Sequence, residues 1–426
     1  MAVTALPRRT ADGIAPAQRA AVVRLCATAF LAYCSYAMCR TPLLPLFARE
    51  LGASAPVIGF VVAASTLTGI VLKLPAGTWS DILGRRPLLV TGGLVFAILP
   101  FTYIGVASLG MLVALRFVHG SATAIFGPVA SASLSDVAPA ARRGTWLSTY
   151  STIQGSGQAL GPIAAGYLIA SGGFDRAFIT AGLIALAAPV IVSRWPPSRA
   201  LHSHSSPVST QHAPPPASTH AERVHHFRRG VSEILRERLI LVTSAAQAAQ
   251  FVLNGTMSAF LPLFGRDVLG LGTSELGWVF GLQTITTLLM RPFMGALSDR
   301  VARPVLIATG LSVCGAGAFL VPLAESFPTL LPIVALYATG VALTTSSTSA
   351  YITDLAHRAQ YGAAHGVFGT IYDIGDALGP IAAGLLVASV GYWWMFRIMA
   401  CVTLIAAVIF HVQISYSAVV SGRDHE

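Results

Sequence analysis

Long apolar segments recur along almost the whole chain, and short polar turns rich in arginine separate them. Each apolar segment holds about 20 residues, the length that an α-helix needs to cross a lipid bilayer. Glycine and alanine are frequent within them, and small residues let helices approach closely in a membrane. The pattern predicts twelve membrane-spanning helices, at 22–47, 57–77, 87–107, 111–134, 145–170, 177–192, 239–264, 275–297, 305–323, 328–352, 362–390 and 394–414.

The second half of the chain repeats the first. GQALGPIAAG at 157–166 returns as GDALGPIAAG at 375–384, and GTWSD at 77–81 returns as GALSD at 295–299, both 218 residues later. A third match, LPLFARE with LPLFGRD, has a spacing of 217. One offset in three separate segments indicates a duplicated unit. The sequence therefore predicts an all-α membrane protein whose twelve transmembrane helices form two pseudo-symmetric six-helix bundles.

Composition and charge agree with a membrane location. Hydrophobic residues make up 54% of the chain, charged residues make up 10%, and the mean hydropathy is +0.69. Soluble domains carry about 25% charged residues. Of the 27 basic residues, 19 fall in loops on one side of the predicted membrane and 3 on the other. Because arginine-rich loops stay in the cytoplasm, we predict a multi-pass protein of the cytoplasmic (inner) membrane with both termini inside. The net charge of +10 then reflects topology and not nucleic-acid binding.

The predicted organisation has five parts. They are a cytoplasmic tail (1–21), an N-terminal bundle (22–194), a cytoplasmic linker (195–238), a C-terminal bundle (239–418) and a second tail (419–426). The linker is rich in proline, serine and histidine and is too polar to pack. Six of the eleven histidines lie in it, but their irregular spacing without cysteine or acidic ligands argues against a metal site. We predict no metal and no cofactor, and we expect a monomer.

A polar loop follows the second predicted helix of each half. GTWSDILGRRP at 77–87 resembles the signature loop of the major facilitator superfamily, and GALSDRVARP at 295–304 is a weaker copy with Ala302 in place of Gly84. A glycine permits a tight turn, and a carboxylate complements helix N-termini and pairs with arginine. The alternative to gating is a positively charged topological anchor. The loops give the predicted gating residues Gly77, Asp81, Gly84, Arg85, Arg86, Gly295, Asp299 and Arg300.

Three further motifs extend the resemblance over the chain outside the linker. The Arg116-x2-His119-Gly120 stretch resembles the arginine motif of the superfamily, which is linked to proton coupling. GQALGPIAAG resembles a motif associated with proton-driven exporters, and YITDLAHRAQYG at 351–362 resembles the vesicular amine branch of that group. The chain is thus identified as similar to the twelve-helix drug:proton antiporters, which implies the major facilitator fold and a midplane site between two rocking halves. Acids that the group carries in helix one are absent, since Tyr33 stands there, so an anionic or zwitterionic substrate suits the chain as well as a cation.

Asp373 and Asp376 are the only acidic residues predicted deep within a membrane helix, and the first half carries Gln158 at the position of Asp376. An intramembrane carboxylate is costly and indicates function, and a spacing of three places both acids on one helical face. Burial and a like neighbour both favour the protonated form. The alternative is that one aspartate neutralises a buried arginine. Our candidates for proton coupling are Asp376, Asp373, Arg116 and His119.

Other polar and small residues within the spans complete the candidate sites. Lys73 and Arg291 occupy equivalent places in the two halves, and we expect both to reach the cytoplasmic surface. Glycines four apart and a helix-bending proline predict helix-packing surfaces at Gly157, Gly161, Pro162, Gly375, Gly379 and Pro380. For the glycines packing alone is the favoured interpretation, and packing between the halves would also serve alternating access, because that interface slides. The predicted substrate-binding residues are Tyr33, Tyr36, Arg40, Gln154, Gln158, Gln250, Asn254, Gln283 and Tyr372.

These expectations define a function hypothesis with two competitors. The hypothesis is a secondary transporter that exports small molecules, drug-like or metabolite, in exchange for protons. The competitors are a proton symporter that imports a metabolite, and a membrane sensor or scaffold that transports nothing. An enzyme is not expected, because the chain contains neither HExxH nor GxSxG. The expected partners are a small-molecule substrate, protons and the lipid bilayer, with no nucleic acid.

Overall fold

The computed structural model describes residues 16–138, 142–195, 232–356 and 361–423. Within them the regular elements are helices, and those ranges hold no β-strand. The N-terminal half contains α1 (Pro16–Arg40), α2 (Leu43–Glu50), α3 (Ala55–Ile82), α4 (Arg85–Thr102), α5 (Leu109–Val137) and α6 (Arg143–Val192). The C-terminal half contains α7 (Arg238–Asp267), α8 (Thr273–Ser298), α9 (Arg303–Leu320), α10 (Phe327–Leu355) and α11 (Tyr361–Arg423).

The first predicted span is divided and two other predicted turns lie inside long helices. Pro42 separates α1 from α2, since proline offers no N–H to continue a helix. The 50-residue α6 leaves helical geometry at Gly172 and Gly173, and the 63-residue α11 does so at Gly391. Gly173 and Gly391 have φ of 75° and 76°, a conformation open to glycine. Each long helix therefore supplies two crossings, at the places where the hydrophobic pattern predicts them.

Eight helices of the described chain are long and apolar enough to cross a bilayer, and α6 and α11 are two of these. The two breaks raise the number of crossings to ten. The remaining two crossings are α7 and α8, which pack among the others but carry more polar side chains. The fold is therefore the expected one, with twelve transmembrane helices in two pseudo-symmetric six-helix bundles. Most of the predicted linker, residues 196–231, and the tail segments 1–15 and 424–426 lie outside the described residues.

Glycine surfaces join the fifth crossing of each half to the first crossing of the same half. A Cβ at Gly157 would lie 2.5 Å from the carbonyl oxygen of Phe30, and one at Gly375 would lie 2.4 Å from that of Ala248. Gly161 and Gly379 meet α1 and α7 in the same way. These four glycines therefore pack against neighbouring helices of the same half, where the backbones touch, and not between the halves.

A second set of small residues joins the two halves. A Cβ at Gly59 of α3 would lie 2.1 Å from the carbonyl oxygen of Pro380, and one at Gly277 of α8 would lie 2.6 Å from that of Pro162. Positions 59 and 277 are related by the 218-residue offset of the duplication. Four residues after Pro380 and Pro162, the same two helix pairs touch again: a Cβ at Gly384 would meet the carbonyl oxygen of Ala55, and one at Gly166 would meet that of Thr273. We call these contacts the distal interface, because they lie at the end of the bundles opposite residues 16 and 423, the first and last that the structure describes, and we call that other end the terminal side.

The buried apolar clusters show on which side the halves are joined. One large cluster at the distal side contains residues of both halves, including Leu46, Ile58, Leu261 and Leu276. The clusters near the termini each contain residues of one half only. Arg49 and Asp267 add an ion pair between the halves at the distal surface, with 3.6 Å between Nη2 and Oδ2. The described chain is therefore closed at the distal side.

Candidate functional site

A cavity of about 510 Å³ lies between the two halves, on the terminal side of the distal interface. That volume is in the range of pockets for small organic ligands. Its wall contains side chains of α1, α3, α5 and α6 from the first half, and of α7, α8 and α11 from the second. The polar residues of α7 and α8 that lower their hydropathy, among them Asn254 and Gln283, face this space.

Eight of the nine predicted substrate-binding residues contribute to the cavity wall. They are Tyr33, Tyr36, Arg40, Gln154, Gln158, Asn254, Gln283 and Tyr372. Gln250 does not, because it is buried one turn away and its Oε1 accepts a hydrogen bond of 2.8 Å from Gln247 Nε2. Gln247 in turn accepts a hydrogen bond from Thr348 on α10. The geometry makes Gln250 part of a buried network between helices.

Asp376 accepts hydrogen bonds from both halves. Its Oδ2 accepts from Arg40 Nη2 at 3.2 Å and from Thr66 Oγ1 at 3.0 Å, and its Oδ1 accepts from Asn254 Nδ2 at 3.1 Å. The carboxylate side chain is only 9% exposed, whereas that of Arg40 is 27% exposed. Arg40 sits in the last turn of α1, which ends there because Pro42 follows, and a cation suits a helix C-terminus. Such charge-assisted bonds are stronger than neutral ones.

Asp373 forms the second ion pair of the cavity, with Lys73 of α3 in the other half. The expectation that Lys73 reaches the membrane surface is wrong: its ammonium group meets a carboxylate inside the cavity, which compensates its charge there. Arg291, at the equivalent place in α8, is exposed and outside the cavity wall. Lys73 and Arg291 thus occupy equivalent positions but differ in role, because the carboxylate partner of Lys73, Asp373, lies in the second half and has no acidic counterpart in the first. Gly155, the counterpart of Asp373, meets the side chain of Leu288.

Arg116 and His119 are fully buried behind the N-terminal wall. Arg116 donates from Nη2 to Ser65 Oγ at 2.6 Å and from Nη1 to the hydroxyl of Tyr103 at 3.4 Å. His119 Nδ1 lies 3.0 Å from the same tyrosine oxygen. Gly120 permits this arrangement, since a Cβ there would lie 2.4 Å from the carbonyl oxygen of Ser65. Neither buried residue contacts the cavity directly, and Ser65, which does line it, connects Arg116 to it.

In each half a loop joins the second crossing to the third, and the two loops differ in backbone geometry. Gly84 has φ of 90°, so the glycine supplies a conformation that other residues adopt only with strain, whereas Ala302 has φ of −53°. Crowding is not the reason for the glycine, because a Cβ there would meet only Pro87, at 3.9 Å. Gly77 and Asp81 lie in α3, and their side-chain environment is outside the description.

Equivalent ion pairs lie beside the two loops. Arg85 Nε donates to Asp136 Oδ2 at 3.0 Å, and Arg303 Nη1 lies 2.5 Å from Asp354 Oδ2. Arg303 and Asp354 come 218 residues after Arg85 and Asp136, so the two pairs are equivalent in the duplicated halves. Sequence reasoning named Arg85 but missed both aspartates, although their spacing was readable. The other predicted gating residues Arg86, Asp299 and Arg300 are exposed, and Gly295 has open space around it.

Sequence reasoning also missed several residues of the cavity wall, among them Thr66, Lys73, Phe251, Ser258 and Phe280. Small hydroxyl and aromatic residues are common throughout membrane helices, so their type alone does not mark them. Their positions carried a signal, since Thr66 is followed 218 residues later by Thr284, another wall residue. No group of three or more metal-ligating side chains occurs in the part of the chain that the structure describes.

Two pseudo-symmetric bundles around a polar midplane cavity are the architecture of secondary transporters. The family model of the Major Facilitator Superfamily matches residues 25–274 and 269–419. The chain therefore belongs to the major facilitator superfamily and is a membrane transporter, not an enzyme.

Named relatives and solved structures agree with this family. An uncharacterized MFS-type transporter of Methanocaldococcus jannaschii is 23% identical over 376 residues, which cover 88% of this chain and 93% of that protein. Multidrug resistance protein 2 of Bacillus subtilis is 22% identical over 349 residues, which cover 81% of this chain and 83% of that protein. The crystal structure of a bacterial homolog of the human lysosomal transporter Spinster superimposes with a TM-score of 0.76 at 14% identity, covering 93% of this chain and 97% of the other.

Proposed function

We propose that the chain exports small molecules from the cell in exchange for protons. The observation that carries the proposal is the pair of carboxylates, Asp373 and Asp376, whose ion-pair partners Lys73 and Arg40 belong to the other half. Protonation of either carboxylate removes its charge and weakens a bond between the halves. Proton binding therefore alters the free energy of the contact whose rearrangement exposes the cavity to one side or the other.

The proposed cycle uses the two access states of the family fold. In the distal-closed state substrate enters from the terminal side and displaces Arg40 or Lys73 from the carboxylates. After the halves rock, protons from the opposite side occupy Asp376 and Asp373 and substrate leaves. Because substrate and protons need the same carboxylates in different forms, one half-cycle carries substrate and the other carries protons. Arg116 and His119 are assigned to the proton path through Ser65, which Arg116 contacts.

Roles for the remaining residues follow from their places. The eight wall residues predicted from sequence are assigned to substrate contact, and the loop residues beside the ion pair of Arg85 and Asp136 to closure of the terminal side. The arginine bias supports placing both termini in the cytoplasm of a cell whose inner membrane holds the protein. The predicted five-part organisation, with bundles at 22–194 and 239–418, and a monomeric state belong to the same proposal.

Export rather than import is supported by two independent resemblances. The Gly-Pro motif is similar to that of proton-driven exporters, and a relative of similar length is named a multidrug resistance protein. The proposed substrates are accordingly drug-like or metabolite molecules of a size that fits the cavity. The competing function is proton symport of a metabolite into the cell, and a sensor that transports nothing is the competitor of another class.

The test is transport in proteoliposomes with an imposed pH gradient, using wild type, Asp376→Asn and the control Asp175→Asn. Asp175 is an exposed residue of α6, just after the break at Gly172 and Gly173 and outside the cavity wall, so its variant keeps wild-type transport. Export predicts that an inward proton gradient expels substrate, and that Asp376→Asn removes the effect of the gradient. Substrate accumulation under the same gradient would establish symport. Flux that is equal in wild type and Asp376→Asn would refute the role of this carboxylate.

A further inference from the structure

Charge around the cavity is divided between the two halves. Both cations of the wall, Arg40 and Lys73, come from the first half, and both anions, Asp373 and Asp376, come from the second. Behind the first wall Arg116 adds a third cation, which bonds hydroxyl groups. A molecule bound between the halves in this cavity therefore meets positive charge on the wall of the first half and negative charge on the wall of the second.

The ability to lose or gain a proton differs between these groups. A cationic substrate that displaces Arg40 from Asp376 leaves a guanidinium without a counter-ion, and arginine does not lose its proton in proteins. An anionic substrate that displaces Asp376 leaves a carboxylate, which a proton can neutralise. That anion would then move together with a proton. A substrate with both charges leaves neither wall without a partner, and it needs the carboxylates ionised.

We propose that the substrate is a zwitterionic amphiphile. Its anionic group binds Arg40 and Lys73, its cationic group binds Asp373 and Asp376, and its apolar body lies against the aromatic side chains of the cavity. This inference rests on the proposed exchange and deepens it, because a cationic group competes with protons for the same carboxylates. The cavity volume of about 510 Å³ suits a drug-sized molecule of this kind.

Three features of the wall fit such a ligand. Arg40 contacts Asp376 through Nη2 alone, and its Nε is buried without a partner, so the guanidinium has donors to offer a second acceptor. Gln283 Oε1 is also buried without a partner beside the cavity and can accept from a cationic N–H. The rings of Phe251 and Tyr372 stack at 4.6 Å between centroids and form an apolar surface.

Matched probes that share one apolar body and differ in charge test the proposal. One set is 4-phenylphenylalanine as the zwitterion, its N-acetyl derivative as the anion and its methyl ester as the cation, and a second set is built in the same way on tryptophan. Binding to the full-length protein in lipid nanodiscs is measured by calorimetry at about pH 6, where the amine of the methyl ester is protonated and the carboxyl groups of the other two forms are ionised. We expect the zwitterion of at least one set to bind about 10- to 100-fold more tightly than either singly charged form. Equal or tighter binding of a singly charged form in each set, or no binding by any probe, would overturn the inference.

Charge variants give a second measurement. Arg40→Gln frees Asp376 and should shift preference toward the methyl ester by about tenfold or more. Asp376→Asn frees Arg40 and should shift it toward the N-acetyl form, whereas the double variant should lose both shifts. The control variants Asp175→Asn and Arg176→Gln, next to the break in α6, remove equal charges outside the cavity wall and keep the wild-type order. Variants that change affinity for all three forms alike would show that the charges do not select the substrate.

Proton movement separates failure of this inference from failure of the proposed function. Zwitterion binding in weakly buffered solution at acidic pH should release protons, as a pH-indicator dye reports. Tight binding of the anion with proton uptake would overturn the zwitterion and favour symport. Proton-driven expulsion of a purely cationic probe that Asp376→Asn abolishes would overturn the zwitterion and leave the exchange mechanism intact.

Discussion

The distal interface should control which side of the membrane the cavity faces, and Gly59→Ala tests this. The added methyl group would lie 2.1 Å from the carbonyl oxygen of Pro380 and 2.8 Å from its carbonyl carbon. Ordinary contacts of a Cβ begin near 3.4 Å. The helices α3 and α11 must therefore separate by more than 1 Å at this point. The atoms that the methyl group would meet on α11 belong to the backbone, so no change of side-chain rotamer can relieve the contact.

The size of the effect follows from the cost of overpacking, about 1–3 kcal/mol for extra methyl groups in a packed interior. The state in which the distal side is open does not bear this cost, because the two helices are apart there. Since about 1.4 kcal/mol is a factor of ten, Gly59→Ala should raise the ratio of distal-open to distal-closed molecules by roughly 5- to 150-fold. Gly277→Ala acts at the equivalent contact, with 2.6 Å to Pro162, and should shift the ratio in the same direction.

The assay is labelling of a cysteine at Ser258 in the cavity wall by a membrane-impermeant maleimide added from the distal side. The background lacks the five native cysteines. Gly110→Ala is the matched control, since a Cβ there has no neighbour within 4 Å. We expect faster labelling in Gly59→Ala and unchanged labelling in the control. Labelling as slow as in the parent protein, in a variant that folds, would refute the idea that these glycines hold the distal side closed.

Further outcomes follow from other contacts. Gly157→Ala, with its Cβ 2.5 Å from the carbonyl oxygen of Phe30, should lower stability by about 1–3 kcal/mol in thermal unfolding, whereas Gly144→Ala, with open space around it, should not. Gly84→Ala must adopt φ of 90° with ψ of 159° and should cost about 1–3 kcal/mol by the same measurement. Arg116→Lys loses the forked contact to Ser65 and Tyr103, so stability should fall by about 1.5–3 kcal/mol and transport should fall with it. Arg49→Gln should change stability by at most about 1 kcal/mol, because the Arg49 side chain is 51% exposed.

Hydrophobic pattern and duplication were sufficient to predict the helices and their division into halves, because both signals extend over long segments. The apolar stretches located even the breaks inside α6 and α11, where glycine at 173 and 391 takes positive φ. The direction that a side chain faces was harder to predict. Lys73 was assigned to the wrong surroundings, and the glycines at 157 and 375 were predicted to pack without a named neighbour, since a helix offers several neighbours and sequence does not say which is closer.

The offset of 218 contains more information than the repeat motifs alone suggest. Tyr36 and Asn254 are related by it, as are Ser65 and Gln283, and all four line the cavity. Gln154 corresponds in the same way to Tyr372, and Gln158 to Asp376. These four pairs of wall positions are therefore symmetric although their chemistry is not.

Symmetry and asymmetry have separate physical purposes here. The distal contacts at 59 and 277 are alike in the two halves, as alternating access requires when the halves rock about a common axis. The carboxylates differ between the halves, so each ion pair of the cavity joins a cation of the first half to an anion of the second. A second aspartate at position 158 would face Asp376 across the same cavity and add repulsion. In the proposed mechanism, equivalent backbones with unequal charges let one fold both move symmetrically and depend on protons, and the positions where the two copies disagree are the places to seek coupling.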